Sequence, residues 1–299
     1  MVCLPTSHSA RSFKLPTSML LLGLAGIAFS TSSFSAAFTP LWETLPATPH
    51  LPGTIGTGYV NTTEGASIWY GVFGRELSET ARRGGTPVLF LHGGFANSDY
   101  WGYQIAALND VRRTILAIDT RGHGRSLDGT ELEMTYDLIA NDTVAVLDHL
   151  NVSKVVVVGW SDGGITGLNL AMNYSSRVDR VFAFAASYNP DNIPDSIVNS
   201  TVFDAFLSRS MTEYTVLNPE PAHFPMFEQK MNAMWSTEPQ WDAVSFAHVL
   251  TPYASAEAPL IRIVDADHDE AIALTTPLQL QEWIPASGRT ILPDVSHFA

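Results

Sequence analysis

Four consecutive valines, Val155 to Val158, run straight into Gly159-Trp160-Ser161-Asp162-Gly163-Gly164, and the residues that follow have helical character. A β-branched run of that kind belongs in a strand buried on both faces. G-x-S-x-G between such a strand and a helix predicts a turn sharp enough to strain its central residue, so only small side chains fit beside it. The turn would hold Ser161 above the sheet, at the N-terminus of a helix over Gly163 to Tyr174 whose free amides favour developing negative charge. Ser161 is therefore the candidate nucleophile. An ordinary glycine-rich strand–helix turn would share the motif, so the partners of Ser161 have to be found elsewhere in the chain.

Further apolar runs surround this one. Ser67 to Phe73, Val88 to Leu91, Thr114 to Ile118, Val178 to Ala185, Leu260 to Val264 and a short Thr290 to Leu292 read as strands, and Leu132 to Leu150 has helical spacing. Unbroken β-branched runs alternating with helices predict a mostly parallel, twisted sheet with helices on both faces, an α/β class. Residues 189–250 break the rhythm with scattered aromatics and prolines and no Val/Ile run, so they read as a small, mostly helical cap inserted into the core. The expected organisation is 1–37 leader, 38–58 Pro/Gly/Thr-rich tether, 59–188 first part of the core, 189–250 cap and 251–299 second part of the core.

With His92-Gly93-Gly94-Phe95, the stretch Asp119-Thr120-Arg121-Gly122-His123-Gly124-Arg125-Ser126, the serine turn and a C-terminal Asp and His, residues 59–299 resemble the α/β-hydrolase fold family. The resemblance implies a triad in the chain order Ser, acid, His. The base is then His297, the only histidine beyond His268. The acid follows the strand Leu260 to Val264, where Asp265, Asp267, Asp269 and Glu270 compete; the family pattern of a small residue with an acid three positions on fits Ala266 and Asp269, with Asp267 as the alternative. The acids not used are expected to be solvated loop residues. The oxyanion hole falls to the backbone N–H of Asp162 and to that of Gly94 or Phe95. The Asp162 carboxylate is awkward beside a developing oxyanion and is read as a first-turn residue favoured by the helix dipole. The Asp119–Ser126 turn and His92 are implied to brace loops rather than react. A serine at the elbow, where an aspartate would serve, also argues against haloalkane dehalogenase or epoxide hydrolase chemistry. The family normally continues past the catalytic histidine into a C-terminal helix; here the sequence stops two residues after His297, which leads to the expectation of a truncated chain with His297 on an exposed end.

Composition narrows the function. Sixteen Lys+Arg against 30 Asp+Glu give a net charge of −14, which repels phosphate backbones, so no nucleic-acid partner is expected. One cysteine, Cys3, excludes an intrachain disulfide framework, a thiolate zinc site and an Fe–S cluster. No nucleotide-binding glycine motif opens a helix, and His268 between Asp267 and Asp269 lacks a second ligand group at helical spacing, so neither a cofactor nor a metal is expected. The cap carries Phe203, Phe206, Phe227, Met231, Trp235 and other large apolar residues, with Arg209 and Lys230 as its only cationic side chains. Those residues suit a small, mostly apolar ester. A cofactor-free perhydrolase and a ligand-binding member of the fold without turnover are the alternatives.

Arg11 and Lys14 precede the 11-residue apolar run Met19 to Phe29, and Ser35-Ala36-Ala37 follows. That order predicts a cleaved secretory signal rather than a membrane anchor, since a span needs about 20 residues. Asn-x-Ser/Thr sequons at Asn61, Asn141, Asn151, Asn173 and Asn199 fit a secreted glycoprotein.

Overall fold

The computed structural model describes residues 39–110, 113–129, 132–247, 249 and 259–298. The signal expected at 1–37 and the end of the cap at 250 lie outside them. In chain order the elements are β1 (Gly56–Asn61), β2 (Ser67–Gly74), α1 (Leu77–Arg82), β3 (Val88–Leu91), α2 (Gly102–Asp110), β4 (Thr114–Ile118), α3 (Tyr136–His149), β5 (Val155–Trp160), α4 (Asp162–Asn173), β6 (Val178–Phe184), α5 (Thr201–Leu217), α6 (Phe224–Thr237), β7 (Leu260–His268), α7 (Thr276–Trp283) and β8 (Gly288–Ser296).

The eight strands form one sheet in the order β1-β2-β4-β3-β5-β6-β7-β8. β1 and β2 enter as an antiparallel pair and β2 runs antiparallel to β4, whereas every pairing from β4 across to β8 is parallel. β3 and β5 are central neighbours, which brings the loop after β3 beside the turn after β5. The sequence dictates this placement: strands buried on both faces must be continuous apolar runs, and β4 (Thr-Ile-Leu-Ala-Ile) is buried at every position. Alternation decides which face each valine serves. Val155 and Val157 are fully buried, and α4 lies so close over Val157 and Val181 that Gly167 has little room for a side chain. Val156 and Val158 point the other way, towards α2, and are only half-buried. An apolar cavity of about 710 Å³ lies there, lined by Phe182, Phe298, Leu108 and residues of the 45–49 segment. The second face is thus less completely covered by the described residues than a four-valine run implies.

Residues 39–55 do not form the expected tether. Leu45 and Leu51 pack on the core, Trp42 stacks on His268 with ring centroids 4.0 Å apart, and Thr48 donates a hydrogen bond to Glu213 at 2.5 Å. Ile55 already donates to the Val72 carbonyl, and β1 begins at Gly56. Proline and glycine keep this segment extended, but its spaced leucines and tryptophan still find apolar surface to cover. Between β6 and β7, the described residues 189–247 carry α5, α6 and short 3₁₀ turns, with no strand among them.

Candidate active site

Ser161 sits between β5 and α4 with φ 53° and ψ −120°. A serine held there costs about 1–3 kcal/mol, sustained only because its surroundings over-determine it. The glycines show how. A Cβ on Gly159 would lie 2.1 Å from the Gly163 carbonyl oxygen, and one on Gly163 would lie 2.0 Å from the Leu91 oxygen of β3. The Ser161 N–H donates to Phe184 O at 2.8 Å, and its carbonyl accepts from Ile165 N at 2.9 Å, so the turn is fixed to β6 on one side and begins α4 on the other.

His297 follows β8 and is buried, with 3% of its surface exposed. Its Nδ1 lies 2.9 Å from Asp269 Oδ2, and its backbone N–H donates to Glu270 Oε2 at 3.0 Å. Trp160 and Phe298 pack against its ring. His297 is therefore enclosed, not on the exposed end that the sequence led us to expect, because the turn after β7 holds both its ring and its backbone. Asp269 Oδ1 also accepts the N–H groups of Ala271 and Ile272, at 2.8 and 2.7 Å. Burial would raise the Asp269 pKa, but His297 and these hydrogen bonds outweigh it and leave the group below its ordinary value. For His297, burial favours the neutral ring, but the Asp269 carboxylate, with the Glu270 charge behind it, lifts the pKa above its ordinary value. An ionised Asp269 fixes the proton on Nδ1 and leaves Nε2 as the basic nitrogen.

The competing acids separate cleanly. The Asp267 side chain accepts from Val295 N at 3.3 Å and does not reach His297. Asp265 is not a solvated loop residue: β7 runs on to His268, and Asp265 is 1% exposed. Glu270 serves the His297 backbone rather than its ring.

Asp162 begins α4, so its N–H has no acceptor within the helix. The loop after β3 comes close: a Cβ on Gly93 would lie 3.2 Å from Ser161 Cβ, and Phe95 adopts φ 58°. The Asp162 carboxylate is not simply a first-turn residue facing solvent. It is buried and accepts from Tyr136 Oη at 2.8 Å and Trp235 Nε1 at 2.9 Å. Burial pushes its pKa up to about 6, with the Trp235 and Tyr136 hydrogen bonds opposing that rise. That Tyr136 and Trp235 both donate to Asp162 was not legible, since each reaches it from a remote stretch of chain.

Ser161, Asp162, Gly94, Phe95 and His297 all line one cavity of about 380 Å³. Ile193, Ile197, Phe203, Phe206, Leu207 and Ile272 make its apolar wall, while Glu228, Asn232 and Glu238 contribute polar groups from the cap. Beneath it the Asp119–Ser126 turn is scaffold. Asp119 accepts from Ser98 N at 2.7 Å and Arg125 N at 2.8 Å, and the fully buried Arg121 pairs with Asp142 at 2.7 Å. His92 accepts from Thr120 N at 3.0 Å, tying the β3 loop to this turn. Asp267, His268 and Asp294 place three potential ligand atoms within 4.8 Å of one another, but they are exposed or half-buried surface groups and His268 is stacked on Trp42.

Residues 86–234 match the family described as the α/β hydrolase fold. The chain is 23% identical over 268 residues to the sn-1-specific diacylglycerol lipase of Danio rerio, covering 81% of this chain and 80% of that one. It is 30% identical over 172 residues to a bifunctional esterase/perhydrolase of Acinetobacter calcoaceticus, covering 53% and 58%. Two further relatives, a protein of Haemophilus influenzae whose name refers to an esterase/lipase and a bifunctional epoxide hydrolase of Sus scrofa, are matched over only 36% and 25% of their own length. Among solved structures, a meta-cleavage product hydrolase from Pseudomonas fluorescens IP01 superimposes with a TM-score of 0.62 at 19% identity, over 81% of this chain and 90% of that one.

Proposed function

The chain is an α/β-hydrolase-fold protein with hydrolase relatives, and from that premise we propose that it cleaves small, mostly apolar carboxylic esters through an acyl-enzyme. The observation that carries this reading is that His297, paired with Asp269, lines the same cavity as the strained Ser161. Ser161 Oγ attacks the ester carbonyl while His297 Nε2 takes its proton, and Asp269 stabilises the imidazolium. The N–H groups of Asp162 and of Gly94 or Phe95 hold the oxyanion. His297 then returns the proton to the leaving alcohol, and water, activated by the same base, releases the acid. The apolar wall suits a short acyl chain. The charge of the lining selects further: His297 is its only basic residue among the described ones, because Arg209 is held by Glu213 and Tyr100 and Lys230 by Asp128. A neutral or cationic ester fits such a cavity better than an anionic one.

Fluorophosphonate labelling with peptide mapping tests the reading. Label on Ser161, absent from Ser161→Ala, together with turnover of short neutral esters is the expected result. A folded chain that takes no label refutes it. The similarity to the Acinetobacter esterase/perhydrolase favours one second reading, in which peroxide replaces water as acyl acceptor; peracid formation from acetate and peroxide would identify it. We also propose passage through the secretory pathway. It rests on the pattern of residues 1–37 and on the exposure of all five sequon asparagines, and glycosidase treatment of the protein from eukaryotic cells should increase its mobility on a gel.

A further inference from the structure

One buried acid has no part in the mechanism above. Asp265 is 1% exposed, on β7, and its carboxyl group lies within hydrogen-bond distance of Asp269. One of its oxygens, Oδ1, accepts from Ala266 N at 2.8 Å. The charged groups facing it are Asp269, from the turn after β7, and His297, after β8; Glu270 reaches His297 from that same turn. Two buried carboxylates in contact strongly disfavour double ionisation, so the pair holds one proton. Asp269 has His297 and two backbone N–H groups stabilising its negative charge, whereas Asp265 has one N–H. The proton therefore rests on Asp265.

We propose that Asp265 is a protonated carboxylic acid that donates a hydrogen bond to Asp269, a positioning residue that sets the basicity of His297 through the catalytic acid. The hydrogen bond would have two effects. It fixes the Asp269 carboxylate so that its lone pairs meet the imidazole Nδ1–H. It also withdraws charge from Asp269, so His297 is a weaker base than it would be against a lone carboxylate. Burial and the Asp269 charge push the Asp265 pKa up to about 8. Below that pH the relay is intact. Above it Asp265 loses its proton, the two carboxylates repel, and the support of His297 fails.

The inference rests on the triad reading, so the test uses two independent measurements on wild type, Asp265→Asn and Asp265→Val. The first is the pH profile of kcat/KM on a neutral activated ester, whose acid limb reports His297 in the free enzyme. The second is the NMR titration of the His297 imidazole, which needs no turnover and so still reads the pair if the ester reading fails. Valine removes the donor, and the His297 titration should move up by roughly half a unit to one unit, carrying the acid limb with it. Asparagine keeps a donor without a titrating proton, so it should reverse most of that shift and abolish the alkaline limb near pH 8. A valine variant whose His297 titrates as in wild type overturns the proposal, as does an asparagine variant that keeps the wild-type alkaline limb.

Discussion

In the proposed mechanism Asp162 would carry two burdens at once, because its N–H would stabilise an oxyanion while its own carboxylate lies in the same buried space. Burial lifts its pKa from 3.8 to about 6, so the fold favours the protonated form. The sign follows from linkage: the folded state binds more protons than the unfolded chain between those values, so stability falls as pH rises from 3.8 to 6 and stays lower above. At about 1.4 kcal/mol per unit, the two-unit shift amounts to something on the order of 3 kcal/mol. Asp162→Asn cannot ionise, yet its Oδ1 can still accept from both Tyr136 Oη and Trp235 Nε1, as Asp162 Oδ1 does at 2.8 and 3.1 Å. Denaturant unfolding across that pH range should show the decline in wild type and lose that contribution in the variant. Parallel curves would mean that Asp162 is not the source. Above pH 7 the variant should also take fluorophosphonate a few-fold faster, since one negative charge near the oxyanion is gone. Asp269→Asn should behave in the opposite sense, because it deprives His297 Nδ1 of its anionic acceptor. In the serine-protease template a comparable change costs about 10⁴ in kcat, and a loss of that order on the best ester is expected here.

The elements matter through what they bring within reach of the serine turn. Trp235 near the end of α6 closes over the β3 loop so tightly that a Cβ on Gly94 would lie 2.2 Å from Trp235 Cζ2 and 2.6 Å from Asp162 Oδ2. Gly94→Ala should therefore displace the cap, the loop or both, and lower kcat/KM by roughly 10²-fold, the scale of losing an oxyanion donor. Trp235→Ala alone should raise KM by loosening the cap wall. If the collision is the cause, the double variant should lose far less than the product of the single losses, and a simple product would place the damage elsewhere. These contacts explain what was legible in the chain. β3 and β4 fall where the sequence placed them, and β5 with α4 nearly so, since a strand buried on both faces has to be an unbroken apolar run. The Ser161–Asp269–His297 order followed from motif and family pattern. β1 was missed because glycines interrupt its alternation, and α7 because its apolar side chains are few. What Asp265, Tyr136 and Trp235 contact was not legible for a different reason. Burial of an acid and the meeting of side chains 26 and 73 residues apart are products of packing, and no local pattern encodes them.

At the scale of the whole molecule, charge is the property most directly coupled to substrate choice. The chain carries −14, and the lining of the cavity that holds Ser161 and His297 adds Glu228 and Glu238, close to the path an ester would take in the proposed reaction. Fields from a net-negative surface reach about 8–10 Å at physiological ionic strength and are focused by the low-dielectric walls of a cleft. Three esters with a common short acyl group separate this effect from pocket shape: one with a neutral alcohol, one with a quaternary ammonium alcohol and one with a carboxylate-bearing alcohol. Steering predicts that kcat/KM for the neutral ester is insensitive to salt, that the cationic ester loses severalfold between low and high salt, and that the anionic ester starts at least about tenfold lower and gains as salt screens repulsion. Glu228→Gln should compress both slopes without moving the neutral ester, since Glu228 lies at the exposed rim and makes no contact with the triad. Equal salt dependence for all three esters would show that selection lies in the apolar wall of Ile193, Phe203 and Phe206 instead. Discrimination would then follow the size of the ester and ignore the charge of its alcohol.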